Sequence, residues 1–189
     1  MLENHHCAEA FKILTKDSSN IFANMDSEEF KIFRKYVIHG IIHTDMALHF
    51  SMVKSITSQW EKNDFNPDEE LNSNDFVDFF GLIMHTSDLY APSKEFEISK
   101  NWADMVNQEF TNQYKKEQDL GIPQTSFFKD LDNRIVMAKS ETFFVGKIVL
   151  PLWEITNQIM AGALNQEVEQ CKKNLQNWKD VADGKLKID

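Results

Sequence analysis

At 189 residues with 42% hydrophobic content, fifteen Phe and four Trp, the chain is long enough for one compact domain with a substantial core and short for two. Its formal net charge of −10, with Lys115–Lys116 and Lys172–Lys173 as isolated pairs and no larger basic cluster, excludes nucleic acid and anionic membrane surfaces as general partners, because phosphate affinity comes from clustered Lys and Arg. No apolar run approaches the roughly 20 residues that span a bilayer.

Only six Gly and four Pro, with 3.6-residue periodicity recurring along the chain, predict an all-α, multi-helix fold with no strand. The opening L-E-N-H-H-C-A starts a helix at once, without a secretory leader, and Ala8, Phe11 and Leu14 continue it. Adjacent His5 and His6 point about 100° apart on a helix, so they cannot chelate one ion together. Asp26 with Glu29 three residues later forms a capping box, and Phe30, Phe33, Val37 and Ile41 mark the buried stripe of the helix that follows. That helix is expected to run on through H-G-I-I-H-T-D-M-A-L-H-F. His39 and His43 stand four apart there with the spacing of a metal-binding pair, but Gly40 replaces the Glu of the zinc-protease motif. The pair therefore reads as a surface or supporting one. Thr44, Asp45 and His49 are polar groups on an apolar helix, and burial obliges each to find a partner, which implies a polar centre nearby.

Asn66-Pro67-Asp68-Glu69-Glu70 reads as a solvated loop. From about Asp75 a helix buries Phe76, Phe79, Phe80 and Ile83 and runs out near Asp88, because Pro92 forces the residue before it out of helical geometry. His85 and Asp88, three apart at that helix end, are alone no more than a capping or surface pair. Ser93 is expected to cap a long helix with Phe96, Trp102, Val106, Phe110 and Tyr114 on its apolar side, and Gly121 ends it. Residues 121–133 read as a loop over a pocket or partner. The next helix carries Met137, Phe144 and Ile148, with Pro151 beginning or kinking its continuation. A final amphipathic helix spans about Gln166 to Trp178, and Lys185 to Asp189 is a frayed tail. Cys7 and Cys171 read as two reduced thiols of a cytoplasmic protein.

Four segments in this order, L-E-N-H-H-C-A from Leu2, T-D-M-A-L-H-F from Thr44, H-T-S-D-L-Y-A-P from His85, and S-E-T-F-F through P-L-W-E from Ser140 to Glu154, resemble the class I 3′,5′-cyclic nucleotide phosphodiesterase catalytic domain. The resemblance covers Leu2 to Trp178. It implies a domain over residues 1–180 corresponding to the C-terminal two-thirds of the family's catalytic unit, with 181–189 as a tail. It further implies hydrolysis of cAMP or cGMP to the 5′-monophosphate at a paired Zn²⁺ and Mg²⁺ centre, where a bridging hydroxide attacks and both ions neutralise phosphate oxygens. Carried over by position, Asp88 matches the late metal-ligating aspartate and His85 the histidine before it. Glu3, His6, Thr44 and Asp45 match positions around metal-bound waters. Val106 and Phe144 match the apolar jaws on the purine, and Trp102 and Trp153 match core aromatics.

Three departures qualify this reading. The family's upstream histidine motif and His-Asp pair are not in the chain, so of four protein ligands to the tight metal only Asp88 is present. Glu141 stands where the family has a glutamine that both donates to and accepts from the base, whereas an ionised Glu only accepts. Ala91 stands where many members have an asparagine. Two readings remain open: an enzyme portion completed by further helices, or an inactive phosphodiesterase-like scaffold within a larger assembly. Both leave an apolar surface for a protein partner.

Overall fold

The computed structural model describes residues 2–68 and 73–188; Glu69 and Glu70 of the expected acidic loop and Asp189 of the tail lie outside the described residues. The fold is all-α, with eight α-helices among the described residues: α1 (Leu2–Leu14), α2 (Ser27–Ile42), α3 (His49–Glu61), α4 (Asn74–Asp88), α5 (Phe96–Asp119), α6 (Arg134–Phe143), α7 (Leu150–Ile159) and α8 (Asn165–Ala182). They fall into two compact units, residues 1–88 and 89–189. No helix among the described residues is long and apolar enough to cross a membrane.

In the first unit α1 packs on α2, while α2 and α3 pack on α4. The capping box forms as expected, with Asp26 Oδ1 accepting from the Glu28 and Glu29 N–H groups at 2.8 and 2.9 Å and the Asp26 N–H donating to Glu29 Oε2 at 3.1 Å. α2 stops at Ile42, so Thr44 and Asp45 do not lie within a helix. The local polar chemistry accounts for the break. Thr44 Oγ1 donates back to the Ile41 carbonyl at 2.8 Å, and Asp45 Oδ1 accepts from the Ala47 N–H at 2.8 Å, an Asx turn that competes with helical bonding. On α4 the expected aromatic stripe is only half-buried; the buried positions are Val77, Gly81, Leu82, His85 and Thr86.

In the second unit α8 is the centre, packing against α6, α7 and a 3₁₀ turn at Ala91–Ser93. Trp178, with no exposed surface, sits among Ala103, Met137, Ala138, Val145 and Val181, and Phe96 meets its ring edge-on at 5.1 Å between centroids. Ser93 does not cap α5: its hydroxyl donates to the Tyr90 carbonyl at 2.7 Å, and the helix begins after Glu95. The turn is held instead by buried Asn174 of α8, which donates to the carbonyls of Pro92 and Lys94 at 2.8 and 2.7 Å. Gly121, at φ +66°, takes the left-handed conformation that ends α5.

The stripe α5 buries is Ser99, Ala103, Asn107 and Thr111, not the expected aromatic one, and Trp102 is 42% exposed. Of the two loop phenylalanines, Phe127 is exposed, whereas Phe128 stacks on Phe110 at 4.1 Å. Between α6 and α7 the chain runs as a π-helix over Phe144–Val149, with the Leu150 N–H reaching five residues back to the Val145 carbonyl. Pro151 supplies no N–H and crowds the carbonyl four residues earlier, so the wider register just before it relieves that conflict. After α8 the N–H groups of Lys185 and Leu186 both donate to the Asp180 carbonyl, and Ile188 packs against the Trp178 cluster.

Candidate functional site

Two groups of residues carry chemistry, one in each unit. In the first, Glu3 and His6 lie three apart on α1 and hence on one face. Asp88 is the last residue of α4 and is exposed. Surrounding protein still desolvates its carboxyl enough to raise its pKa, and the nearby His6 opposes that rise. Glu3 is half-buried; the hydrogen bond from its own backbone N–H holds its carboxyl below the usual carboxylate range, while the neighbouring Asp45 charge pushes the other way. Asp88 thus stands within electrostatic reach of His6, and Glu3 within that of Asp45.

Behind Asp88, one turn earlier on α4, His85 is fully buried and its Nε2 lies 2.9 Å from Nδ1 of buried His49. Burial first, then the charges of His49 and His43, hold the His85 imidazole down to about 4, and burial lowers His49 as well. Both rings are therefore neutral at pH 7, one donating and the other accepting. His85 is the partner that His49 required, and the pair fixes the last turn of α4, which carries Asp88. Thr44 serves its own turn and makes the backbone bond described above.

In the second unit Val106 is 41% exposed on α5, and Phe144 is half-buried, packed against the Trp178 cluster and a second cluster of Val149, Trp153, Val168 and Cys171. Glu141 is tied to α5 through Asn107, whose Nδ2 donates to Glu141 Oε1 at 2.8 Å and to the Ala103 carbonyl at 2.8 Å. Burial pushes the Glu141 carboxyl up to about 7, against the Asn107 bond and assisted by the Asp104 charge. At neutral pH it is therefore partly protonated, and a protonated carboxyl both donates and accepts as an amide does. This changes the expectation that Glu141 only accepts. Asn107 went unnoticed in the sequence. The spacing of Ala103, Asn107 and Thr111, four apart and all small or polar, is the signal that marks this face.

A cleft of about 360 Å³ adjoins Asn107, lined also by Asp104, Thr111, Asp132, Arg134 and Met137. Arg134 is engaged by Asp104. With its one cation neutralised and two carboxylates on the wall, the cleft is a poor cradle for phosphate.

Taken as a class, this is an all-helical chain that presents carboxylates and a histidine at helix ends in one unit and a half-buried carboxyl beside apolar side chains in the other. A family model described as 3′5′-cyclic nucleotide phosphodiesterase matches residues 1–171, and the chain belongs to that family. Among its relatives, the dual specificity calcium/calmodulin-dependent 3′,5′-cyclic nucleotide phosphodiesterase 1B of Bos taurus is 30% identical over 161 residues, 84% of this chain and 28% of the relative. The 3′,5′-cyclic-AMP phosphodiesterase, isoform F, of Drosophila melanogaster is 33% identical over 157 residues, 82% of this chain and 23% of the relative. The crystal structure of the phosphodiesterase domain of Salpingoeca rosetta rhodopsin phosphodiesterase matches with a TM-score of 0.90 at 29% identity, over 97% of this chain and 55% of that one. The chain spans about a quarter of the length of these two relatives and about half of that solved domain.

Proposed function

We propose that the chain is the C-terminal portion of a cyclic-nucleotide phosphodiesterase catalytic domain, extending over residues 1–180, and that it hydrolyses cAMP or cGMP to the 5′-monophosphate in the cytoplasm once the rest of the domain is supplied. The observation that carries this reading is the match of the family model over residues 1–171, a span in which Asp88 stands within electrostatic reach of His6 and Glu3 within that of Asp45. Exposed Leu2, Ile13 and Ile21, at 61%, 53% and 77%, offer apolar surface for further helices of the domain or for a partner that carries them.

Zn²⁺ takes four N, O or S donors in a closed shell, or three plus water in a catalytic one. Asp88, with only His6 within electrostatic reach, does not make such a shell, so these residues alone do not fit the family's tight metal and no reaction step is assigned through it. What they would contribute is a carboxylate at Asp88 and, at Glu3, His6 and Asp45, polar groups to hydrogen-bond water beside the phosphate. Val106 and Phe144 provide apolar walls for the base, and Glu141 an edge that donates when protonated and accepts when not.

A second reading, an inactive scaffold, rests on Ala91 and Glu141. The half-protonated state of Glu141 weakens it at one of these positions, because the lost donor returns below about pH 7. The deciding experiment fuses the N-terminal part of the Salpingoeca rosetta domain ahead of Leu2 and measures cAMP and cGMP turnover. Turnover that vanishes in Asp88→Ala supports the enzyme reading; a folded chimera that binds neither nucleotide supports the scaffold.

A further inference from the structure

His39, His43 and Asp78 meet in the first unit although nothing in the family resemblance employs them. Their ligand-capable atoms all lie within 4.8 Å of one another, the one such group among the described residues. We propose that these three side chains form a binding site for a single divalent transition-metal ion, with Zn²⁺ chemistry, that clamps α2 to α4.

Each donor is prepared differently. His43 Nδ1 lies 2.8 Å from the His39 carbonyl oxygen. A carbonyl only accepts, so Nδ1 carries a proton, which leaves Nε2 as the ring atom that can ligate a metal, as in metal-bound histidines oriented by a backbone carbonyl. His39 Nε2 is buried and makes no hydrogen bond among the described residues. Such an orphaned atom is costly unless something satisfies it, and a metal ion does. Asp78 supplies the anionic oxygen from α4, so two imidazole nitrogens and one carboxylate face a divalent cation. Both imidazoles and the carboxylate are half-buried. Burial, followed by the His43 charge, holds His39 down to about 4 against a weak pull from the Val77 carbonyl, so it is a neutral ligand at pH 7. Burial also raises Asp78, with His43 opposing and Asp75 adding to the rise, a desolvation that a bound cation would offset.

The backbone makes room for this arrangement. The two imidazole rings lie 3.8 Å apart on successive turns of α2. A Cβ on Gly81, one turn beyond Asp78, would stand 2.7 Å from His43 Cγ and Cδ2 and 3.2 Å from His39 Nε2. Tetrahedral bonds of about 2.0–2.1 Å put donors about 3.3 Å apart, so side-chain rotations of roughly an ångström close the site. Three protein donors leave the fourth position to water. The N₂O set favours a borderline ion such as Zn²⁺ over Mg²⁺ or Ca²⁺, which take all-oxygen shells. From sequence His39 and His43 read as a surface or supporting pair because both lie on one helix; the third donor is 35 positions further along the chain.

The test is titration of the full chain with Co²⁺ and Zn²⁺, read by the visible bands of four-coordinate Co²⁺ and their displacement by one equivalent of Zn²⁺. One equivalent is expected to bind, and Zn²⁺ to raise the melting temperature. His43→Gln and Asp78→Asn should each weaken binding by about tenfold or more. Gly81→Ala keeps all three ligands but crowds them, and serves if a ligand variant misfolds. His6→Ala and Asp88→Asn should leave the spectrum unchanged, which separates this site from the proposed phosphodiesterase residues. No four-coordinate spectrum in the unchanged chain, a spectrum that survives Asp78→Asn, or one lost with His6→Ala overturns the proposal.

Discussion

Replacing Glu141 by Gln tests whether burial controls the carboxyl that Asn107 holds. The folded chain raises its pKa from 4.5 to about 7, with desolvation the leading cause. The unfolded chain therefore ionises first as pH rises. The native state holds the extra proton between about pH 4.5 and 7, so stability falls with pH across that window and levels off above it. At about 1.4 kcal/mol per tenfold change in ionisation constant, the full cost is at most about 3.5 kcal/mol. Gln keeps the oxygen that accepts from Asn107 and cannot ionise. Urea unfolding followed by tryptophan fluorescence should find the two chains equally stable at pH 4 and Glu141→Gln more stable at pH 8 by roughly 1–3 kcal/mol, since water reaching a half-buried group reduces the ceiling. A difference that is constant with pH, or absent at pH 8, would refute the assignment of the shift to this carboxyl.

Three further outcomes follow from the packing. Trp178→Ala should cost about 3–5 kcal/mol, whereas Trp178→Phe should cost far less than Ala because it keeps ring volume and removes an indole N–H that has no partner; denaturant midpoints compare them. Asn174→Ala leaves the Pro92 and Lys94 carbonyls without their donor and should cost about 2–3 kcal/mol, with faster amide exchange in the first turn of α5. Gly40→Ala places a methyl 2.9 Å from the Phe80 ring, where the helical gain of Ala is outweighed; a net loss of about 1–2 kcal/mol in thermal unfolding is expected.

Much of the fold could be read from residues whose effect is local. The Asp26 capping box, the turn at Gly121, the helix ending at Asp88 and the absence of strands each depend on a few neighbouring side chains. What periodicity could not show is which of two plausible stripes is buried. On α5 the aromatics advertised one face, yet Ser99, Ala103, Asn107 and Thr111 are buried. Large rings can cover a surface from its margin, whereas close approach of backbones requires small residues. Thr44 and Asp45 could be identified as polar groups needing partners, but not as the residues that end α2. The candidate site divides the same way. Asp88 and His6 follow from motif resemblance, while Asn107 and Asp78 depend on contacts 34 and 35 residues along the chain. Glu141 was recognised as a departure, but its raised pKa depends on burial that no spacing reveals.

The central claim, that this chain is the part of a cyclic-nucleotide phosphodiesterase bearing its last metal ligand and base-facing wall, meets its most direct test in turnover by the completed chimera. The account predicts release of the 5′-monophosphate from cAMP or cGMP, with kcat/KM falling at least about 100-fold in Asp88→Ala, a loss of roughly 2.7 kcal/mol in transition-state stabilisation. Turnover indifferent to Asp88, or none from a chimera that folds and binds metal, would contradict it.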